Sequence, residues 1–132
     1  MMLLNSTTAH DPARARKFRQ AAFVYLHVAI LYEAAAYAMW RHGLLPGGRG
    51  PGWVWLIGGA VVAGAIFYGL LRWQNVIFAR VIWVIHSMRL PALISSAFIT
   101  AVEGGLTRGF YVTALVVVVV NLWMLARAAW DL

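Results

Sequence analysis

Long apolar runs alternate with short polar or glycine-rich segments along the whole chain. The runs cover about residues 20–40, 53–71, 76–102 and 110–126. Each run approaches or exceeds the ~20 residues that a helix needs to cross a hydrocarbon core of about 30 Å. Gly and Pro are dense over residues 41–52, which predicts a loop, and Pro91 predicts a kink in the third run. The pattern predicts an all-α, polytopic membrane protein with about four transmembrane helices in an antiparallel bundle.

The residues before the first run are polar and basic. The cations there are Arg14, Arg16, Lys17 and Arg19. We expect residues 1–19 to form a basic cytoplasmic N-terminal tail and residues 20–132 to form the transmembrane domain, because flanking cations favour the cytoplasmic side. The same bias predicts that the C-terminus is also cytoplasmic. Frequent Gly, Ala, Arg and Trp are typical of a bacterial protein, so the predicted location is the bacterial inner (plasma) membrane.

Composition narrows the classes of protein that fit the chain. Of its 132 residues, 63% are hydrophobic and 11% are charged, which is too apolar for a small soluble domain. The net charge is +7, but the cations separate apolar runs and form no charged face, so nucleic acid is not an expected partner. Without cysteine, disulfides, iron–sulfur clusters and covalently attached haem are excluded. The sequence has no nucleophile–base pair and no phosphate loop, so we do not expect an enzyme.

The second run is rich in small residues. They are Gly58, Gly59, Ala60, Gly64, Ala65 and Gly69. Small side chains let the backbones of two membrane helices approach closely. The second helix is therefore predicted to be a packing helix, and its partner is another helix of the chain, another membrane subunit or a second copy.

Two oppositely charged residues are predicted within the membrane. Glu33 in the first run and Arg89 in the third lie at the same depth, because the first and third helices run in the same direction. Buried charges in a bilayer are costly and need partners, so we expect Glu33 and Arg89 to pair if their helices touch. The pair would be a structural clasp, or Glu33 would exchange its proton during transport.

Two histidines lie near the predicted middle of the bilayer. His27 and His86 are on parallel helices at similar depth, so they are candidates to bind a haem b iron, a quinone headgroup or the magnesium of a (bacterio)chlorophyll. The alternative is that both are hydrogen-bonded core residues. Asn121 in the fourth run is expected to form a hydrogen bond between helices.

Part of the chain resembles the small multidrug resistance transporters. In the first run the matching residues are Tyr25, Leu26, Ala29, Ile30, Leu31 and Glu33, followed by Arg41; in the third they are Ile82 and Trp83. The resemblance implies a homodimeric transporter of four helices in which Glu33 exchanges protons for cationic drugs. Val84, Ile85 and His86 stand where that family has a Gly-rich motif. Arg80 and Arg89 add cations where a cationic drug would bind.

Two hypotheses for the function follow. The first is an accessory subunit of a larger respiratory or photosynthetic membrane assembly, docked by its small-residue helix and Trp-rich edges, with or without a haem, quinone or pigment site that it lines. The second is a proton-coupled transporter of small molecules with Glu33 as the coupling residue.

Overall fold

A computed structural model of the protein describes residues 11–43, 52–99 and 105–132. The elements are α1 (Pro12–Arg41), α2 (Gly52–Trp73), α3 (Val76–Ser87), α4 (Leu90–Ile94), a π-helical segment (Ser95–Ile99) and α5 (Gly105–Trp130). The helices long and apolar enough to cross a membrane are Pro12–Arg41, Trp53–Trp73, Val76–Ile99 and Arg108–Trp130. The predicted all-α bundle of four membrane-spanning helices is confirmed.

Contacts along the bundle show that successive spans are antiparallel. The start of α1 meets the end of α5 through Lys17 and Asp131, whose Nζ and Oδ1 atoms lie 2.6 Å apart. The first and third spans are parallel, since Tyr25 contacts His86. We call the end with the start of α1 and the end of α5 the terminal end, and the opposite end the loop end.

The first helix begins earlier than the sequence pattern predicted. It starts at Pro12 and not near Gln20, because Asp11 caps it by accepting a hydrogen bond from the backbone N–H of Ala13 (3.0 Å), and proline suits the first helical position. The basic residues of the predicted tail therefore extend α1 beyond its apolar run. Residues 1–10 of that tail, and residues 100–102 of the predicted third helix, lie outside the described residues.

The third span is interrupted close to the predicted kink. Helix α3 ends at Ser87, and α4 begins at Leu90 with Pro91 in its first turn. Proline has no N–H to donate to the carbonyl four residues earlier, so the helix cannot run through this point unchanged. The interruption lies at Met88 and Arg89, so Arg89 projects from a break in the helix and not from its regular middle.

The second and third spans are joined by a tight turn at the terminal end. Gln74 adopts a positive φ of 47°, which reverses the chain direction within two residues. The Asn75 side chain then caps α3 by accepting hydrogen bonds from the N–H groups of Ile77 (2.8 Å) and Phe78 (3.3 Å). Arg14 of α1 donates to the backbone carbonyl of Gln74 at 2.8 Å, which fixes the turn to the start of α1.

The bundle is packed most tightly at the terminal end. Its core contains Phe18, Ala21, Ala22, Leu70, Ala79 and Leu125, all of them 0% exposed. Helix α1 packs along α2 and α5, and α5 also packs along the third span, whereas α2 and α3 meet mainly beside their turn. There, Phe78 lies against the backbone of Gly69. Beyond this contact α2 and the third span diverge, and the divergence leaves room for a cavity.

Candidate functional site

A cavity of about 360 Å³ lies inside the bundle, and all four spans line it. We call it the inner chamber. Its lining residues recur at helical spacing on each long helix, for example Tyr25, Val28, Ala29, Tyr32 and Glu33 on α1. Residues three and four apart share one face of a helix. One complete face of α1 is therefore directed into the chamber.

A second cavity of about 680 Å³ lies beside the inner chamber towards the loop end. We call it the vestibule. The residues that line both cavities are Tyr32, Glu33, Gly59, Val62 and Arg89. These five residues, which we call the constriction, form the wall that the two cavities share, and they include the two charged residues singled out in the sequence.

Glu33 is seated against the backbone of α2. A Cβ atom placed on Gly59 would lie 2.6 Å from Cδ and Oε1 of Glu33, so only glycine leaves the carboxyl group in this position without displacement. This contact gives Gly59 a role within the chain. It was part of the predicted packing stripe, but its contact with a carboxylate was not foreseen.

Arg89 faces the same constriction from the third span. Its guanidinium lies over the ring of Tyr32, with Cζ 4.9 Å from the ring centroid, a favourable cation–π arrangement. Among the residues that the structure describes, the ion pair within 4 Å is Lys17–Asp131, so Glu33 and Arg89 share a cavity wall without direct contact. Their pairing stays a prediction for another state of the protein.

Tyr25 and His86 form a hydrogen-bonded pair deeper in the chamber. The Tyr25 hydroxyl is 3.0 Å from His86 Nε2, and His86 Nδ1 is 2.9 Å from the carbonyl oxygen of Ile82. A carbonyl oxygen only accepts, so Nδ1 carries the proton. In a neutral imidazole Nε2 is then the acceptor, and the Tyr25 hydroxyl donates to it. The pair is therefore internally satisfied with His86 neutral.

Asn121 of α5 completes the deepest part of the chamber. It is 2% exposed, and its Oδ1 atom has no hydrogen-bond partner among the described residues. The sequence predicted a hydrogen bond from Asn121 to a neighbouring helix, and this oxygen does not make one. The chamber thus ends in a buried acceptor that no side chain of the described bundle satisfies.

His27, the other predicted cofactor ligand, does not line the chamber. It is exposed, and its Nδ1 atom lies 2.7 Å from the carbonyl oxygen of Phe23 in the same helix. His27 follows Tyr25 by two positions, which places it on a different face of α1. The structure therefore does not bring His27 and His86 together around one cofactor.

The small residues of α2 divide between two faces. Gly59 contacts Glu33 and Gly69 contacts Phe78. The other four members of the predicted packing set, Gly58, Ala60, Gly64 and Ala65, are exposed. Within this chain the stripe serves packing only in part, and one of its exposed members, Gly58, lines the vestibule.

Three chamber residues were not identified as site residues from the sequence: Tyr25, Tyr32 and Asn121. The signal that could have found them is helical spacing. On α1, Tyr25 lies eight residues before Glu33, and Tyr32 lies one residue before it. On the third span the lining residues recur at intervals of three and four, at Ile82, Ile85, His86 and Arg89.

Comparison with known proteins identified no relative. The chain matches no protein-family model, no curated protein and no solved structure.

Proposed function

We propose that the protein is a proton-coupled transporter of small molecules and that Glu33 is its coupling residue. The observation that carries the proposal is the position of the Glu33 carboxyl group, in the wall shared by two adjacent cavities at membrane depth. An ionisable residue inside a membrane bundle is costly, and facing an internal cavity is typical of one that serves transport. If Glu33 served only as a structural clasp, its carboxylate would instead be in direct contact with Arg89.

Protonation of Glu33 would change the force between the first and third spans. When the carboxylate is ionised it attracts Arg89 across the constriction. When it is protonated this attraction is lost, and the guanidinium keeps its place over Tyr32. The Arg89 guanidinium would thus have two alternative positions, one near Glu33 and one over Tyr32. A two-state element of this kind is what coupling needs.

The two ends of the bundle supply the asymmetry of alternating access. The terminal end is closed by side chains with no exposed surface, among them Phe18, Leu70 and Leu125. The loop end holds the larger cavity. Transport therefore requires a second state in which the terminal core separates.

The proposal includes the orientation of the chain. The cations of the terminal end are Arg14, Arg16, Lys17, Arg19, Arg72, Arg80 and Arg127. Arg80 reaches this end by donating to the carbonyl of Ala129 at 3.1 Å, with its guanidinium over Trp130. This concentration of cations favours a cytoplasmic terminal end in a bacterial inner membrane. Because the chain has no cysteine, single cysteines at Leu132 and His42 would report the two sides by labelling in intact cells.

Proton flux into vesicles tests the coupling role. Purified protein is reconstituted with a pH-sensitive dye trapped inside, and 2-(1-naphthyl)ethanol, a neutral and non-acidic alcohol, is added under an imposed pH gradient. We expect the alcohol to accelerate proton flux in the wild type and not in Glu33→Gln, which keeps the size of the side chain and loses its charge. Asp131→Asn is the matched control, because it removes a carboxylate outside the chamber. Equal flux in wild type and Glu33→Gln would remove Glu33 from the mechanism.

A second candidate function is supported by the exposed half of the α2 stripe. Gly58 and Gly64 have open space where a Cβ would lie, which suits a closely packed helix of another subunit or a second copy. This favours the accessory-subunit hypothesis, in which partner subunits of a respiratory or photosynthetic complex cover the stripe and a haem b, quinone or bacteriochlorophyll lies nearby. Mild purification from native membranes tests it: partner subunits or a visible absorption band would support it, and a homogeneous protein with neither would refute it.

A further inference from the structure

The deepest part of the inner chamber holds an unsatisfied acceptor. Asn121 is 2% exposed, and its Oδ1 atom has no partner in the described part of the chain. It stands directly after the run of valines at 116–120, where another apolar residue would avoid the penalty of burying an unpaired polar group. A buried amide in this position implies a partner that the bundle does not supply.

Two neighbouring polar side chains of the chamber already have partners. His86 is held between the Tyr25 hydroxyl and the carbonyl of Ile82, and Arg89 is placed over Tyr32.

The other residues that line the chamber are mostly apolar, and they include Val118 on the helix of Asn121 and Ile82 on the third span. The Glu33 carboxyl group lies in the wall that the chamber shares with the vestibule. A molecule that satisfies Asn121 Oδ1 must therefore offer a hydrogen-bond donor on an otherwise apolar body.

Charge restricts the ligand further. The chamber is lined by one carboxylate, Glu33, and one guanidinium, Arg89, whose formal charges cancel. An added cation would leave an uncompensated positive charge at membrane depth, which is unfavourable. A neutral ligand leaves the balance intact.

We propose that the inner chamber selects neutral, largely apolar molecules that carry a hydroxyl or amide N–H group, and that Asn121 Oδ1 accepts the hydrogen bond from that group. The inference rests on the proposed transport function and names its substrate class. It also separates this protein from transporters of cationic drugs, which its first helix resembles.

Three probes with the same ring system test the class. They are 2-(1-naphthyl)ethanol, 1-ethylnaphthalene, which lacks the donor, and 2-(1-naphthyl)ethylammonium, which carries a charge. Binding is measured by equilibrium dialysis against protein in lipid nanodiscs, with protein-free nanodiscs subtracted for partition into lipid. We expect the alcohol to bind about tenfold more tightly than the hydrocarbon, the size of one good hydrogen bond, and the ammonium ion to bind more weakly than the alcohol.

Two variants locate the hydrogen bond. Asn121→Leu keeps the approximate size of the side chain and removes the acceptor, so the alcohol should then bind no more tightly than the hydrocarbon. Ser96→Ala is the control, because Ser96 lines the vestibule and not the inner chamber, and it should keep the wild-type preference. If Asn121→Leu does not fold, the three-probe comparison on the wild type decides alone.

Each outcome either supports or overturns the inference. Equal binding of alcohol and hydrocarbon by the wild type, tighter binding of the ammonium ion, or an unchanged preference in Asn121→Leu would overturn it. Dialysis uses no proton gradient, so it is independent of transport. A tenfold preference for the alcohol with no proton flux would refute the transporter while the binding site stands, whereas flux without the preference would refute the ligand class alone.

Discussion

The terminal end and the loop end of this bundle differ in how far side chains fill the space between the helices. At the terminal end, aromatic and aliphatic side chains such as Phe18 and Leu125 fill the space between helices completely. Towards the loop end, the helices leave room for the inner chamber and the vestibule, whose mostly apolar walls include several polar residues. Close packing is the default of folded interiors, so the open half is the part that needs a functional explanation.

The difference between the two ends is tested most directly by truncating one leucine in each half of α2. Leu70 of α2 is 0% exposed in the terminal core, whereas Leu56 lines the vestibule. We expect Leu70→Ala to lower the free energy of unfolding by about 3 kcal/mol, because a cavity opens in close-packed surroundings. Leu56→Ala should cost less than about 1 kcal/mol, since its side chain already borders empty space.

Reversible unfolding in mixed detergent micelles, followed by tryptophan fluorescence, measures both changes. The wild type and both variants are compared in the same micelle composition, so that only the differences between them are interpreted. Similar losses for Leu70→Ala and Leu56→Ala would mean that the loop end is as tightly packed as the terminal end, and the vestibule would lose its support.

A second comparison uses two glycines on different faces of α2. A Cβ on Gly59 would lie 2.6 Å from the Glu33 carboxyl group, whereas Gly64 lines neither cavity and a Cβ there meets nothing within 4 Å. Gly59→Ala should therefore displace the carboxyl group and reduce alcohol-dependent proton flux, by up to about a hundredfold if the displacement approaches 1 Å. Gly64→Ala should leave the flux unchanged.

The pair of variants separates the chamber from the exposed stripe. Both substitutions place alanine in a helix and gain similar intrinsic helix propensity, so a difference in flux reports position alone. A loss of flux in Gly64→Ala, together with an altered oligomeric state, would indicate that the exposed face of α2 matters more than the chamber wall.

The sequence predicted the spans well and the chamber poorly, for physical reasons. The thickness of a bilayer sets the length of an apolar helix, so hydropathy alone located the four spans. Which face of each helix turns inward depends on packing between helices, and an apolar helix in lipid has no polar side to mark its outer face. His27 and His86 therefore looked equivalent at similar depth, whereas the structure places only His86 in the chamber.

For Asn121 too, the sequence located the residue in a span but did not show which groups surround it. A lone asparagine after a valine run predicted a hydrogen bond between helices, because buried amides are normally paired. The sequence does not reveal that the helices diverge beside it. The spacing of Tyr25, Tyr32 and Glu33 carried usable information, and combining it with the spacing of His86 and Arg89 would have placed all five on facing surfaces.

The smallest expected effect belongs to the ion pair that joins the two ends of the chain. Lys17 Nζ lies 2.6 Å from Asp131 Oδ1, and the hydrogen bond and positive charge of Lys17 hold the pKa of Asp131 below its ordinary value. A carboxyl group whose pKa is lowered by folding stabilises the fold above its unfolded pKa, and this contribution is lost as the pH falls through the folded value. The effect should be small because Asp131 is exposed to solvent and surface ion pairs contribute little.

Thermal unfolding of wild type and Asp131→Asn, measured in parallel from neutral to strongly acidic pH, isolates this contribution. At neutral pH the wild type should be slightly more stable, and the difference should shrink as the aspartate becomes protonated. High salt at neutral pH should shrink it in the same way, since exposed charges are screened. A difference that persists in acid and in salt would mean that Asp131 acts through packing at the end of α5 and not through its charge.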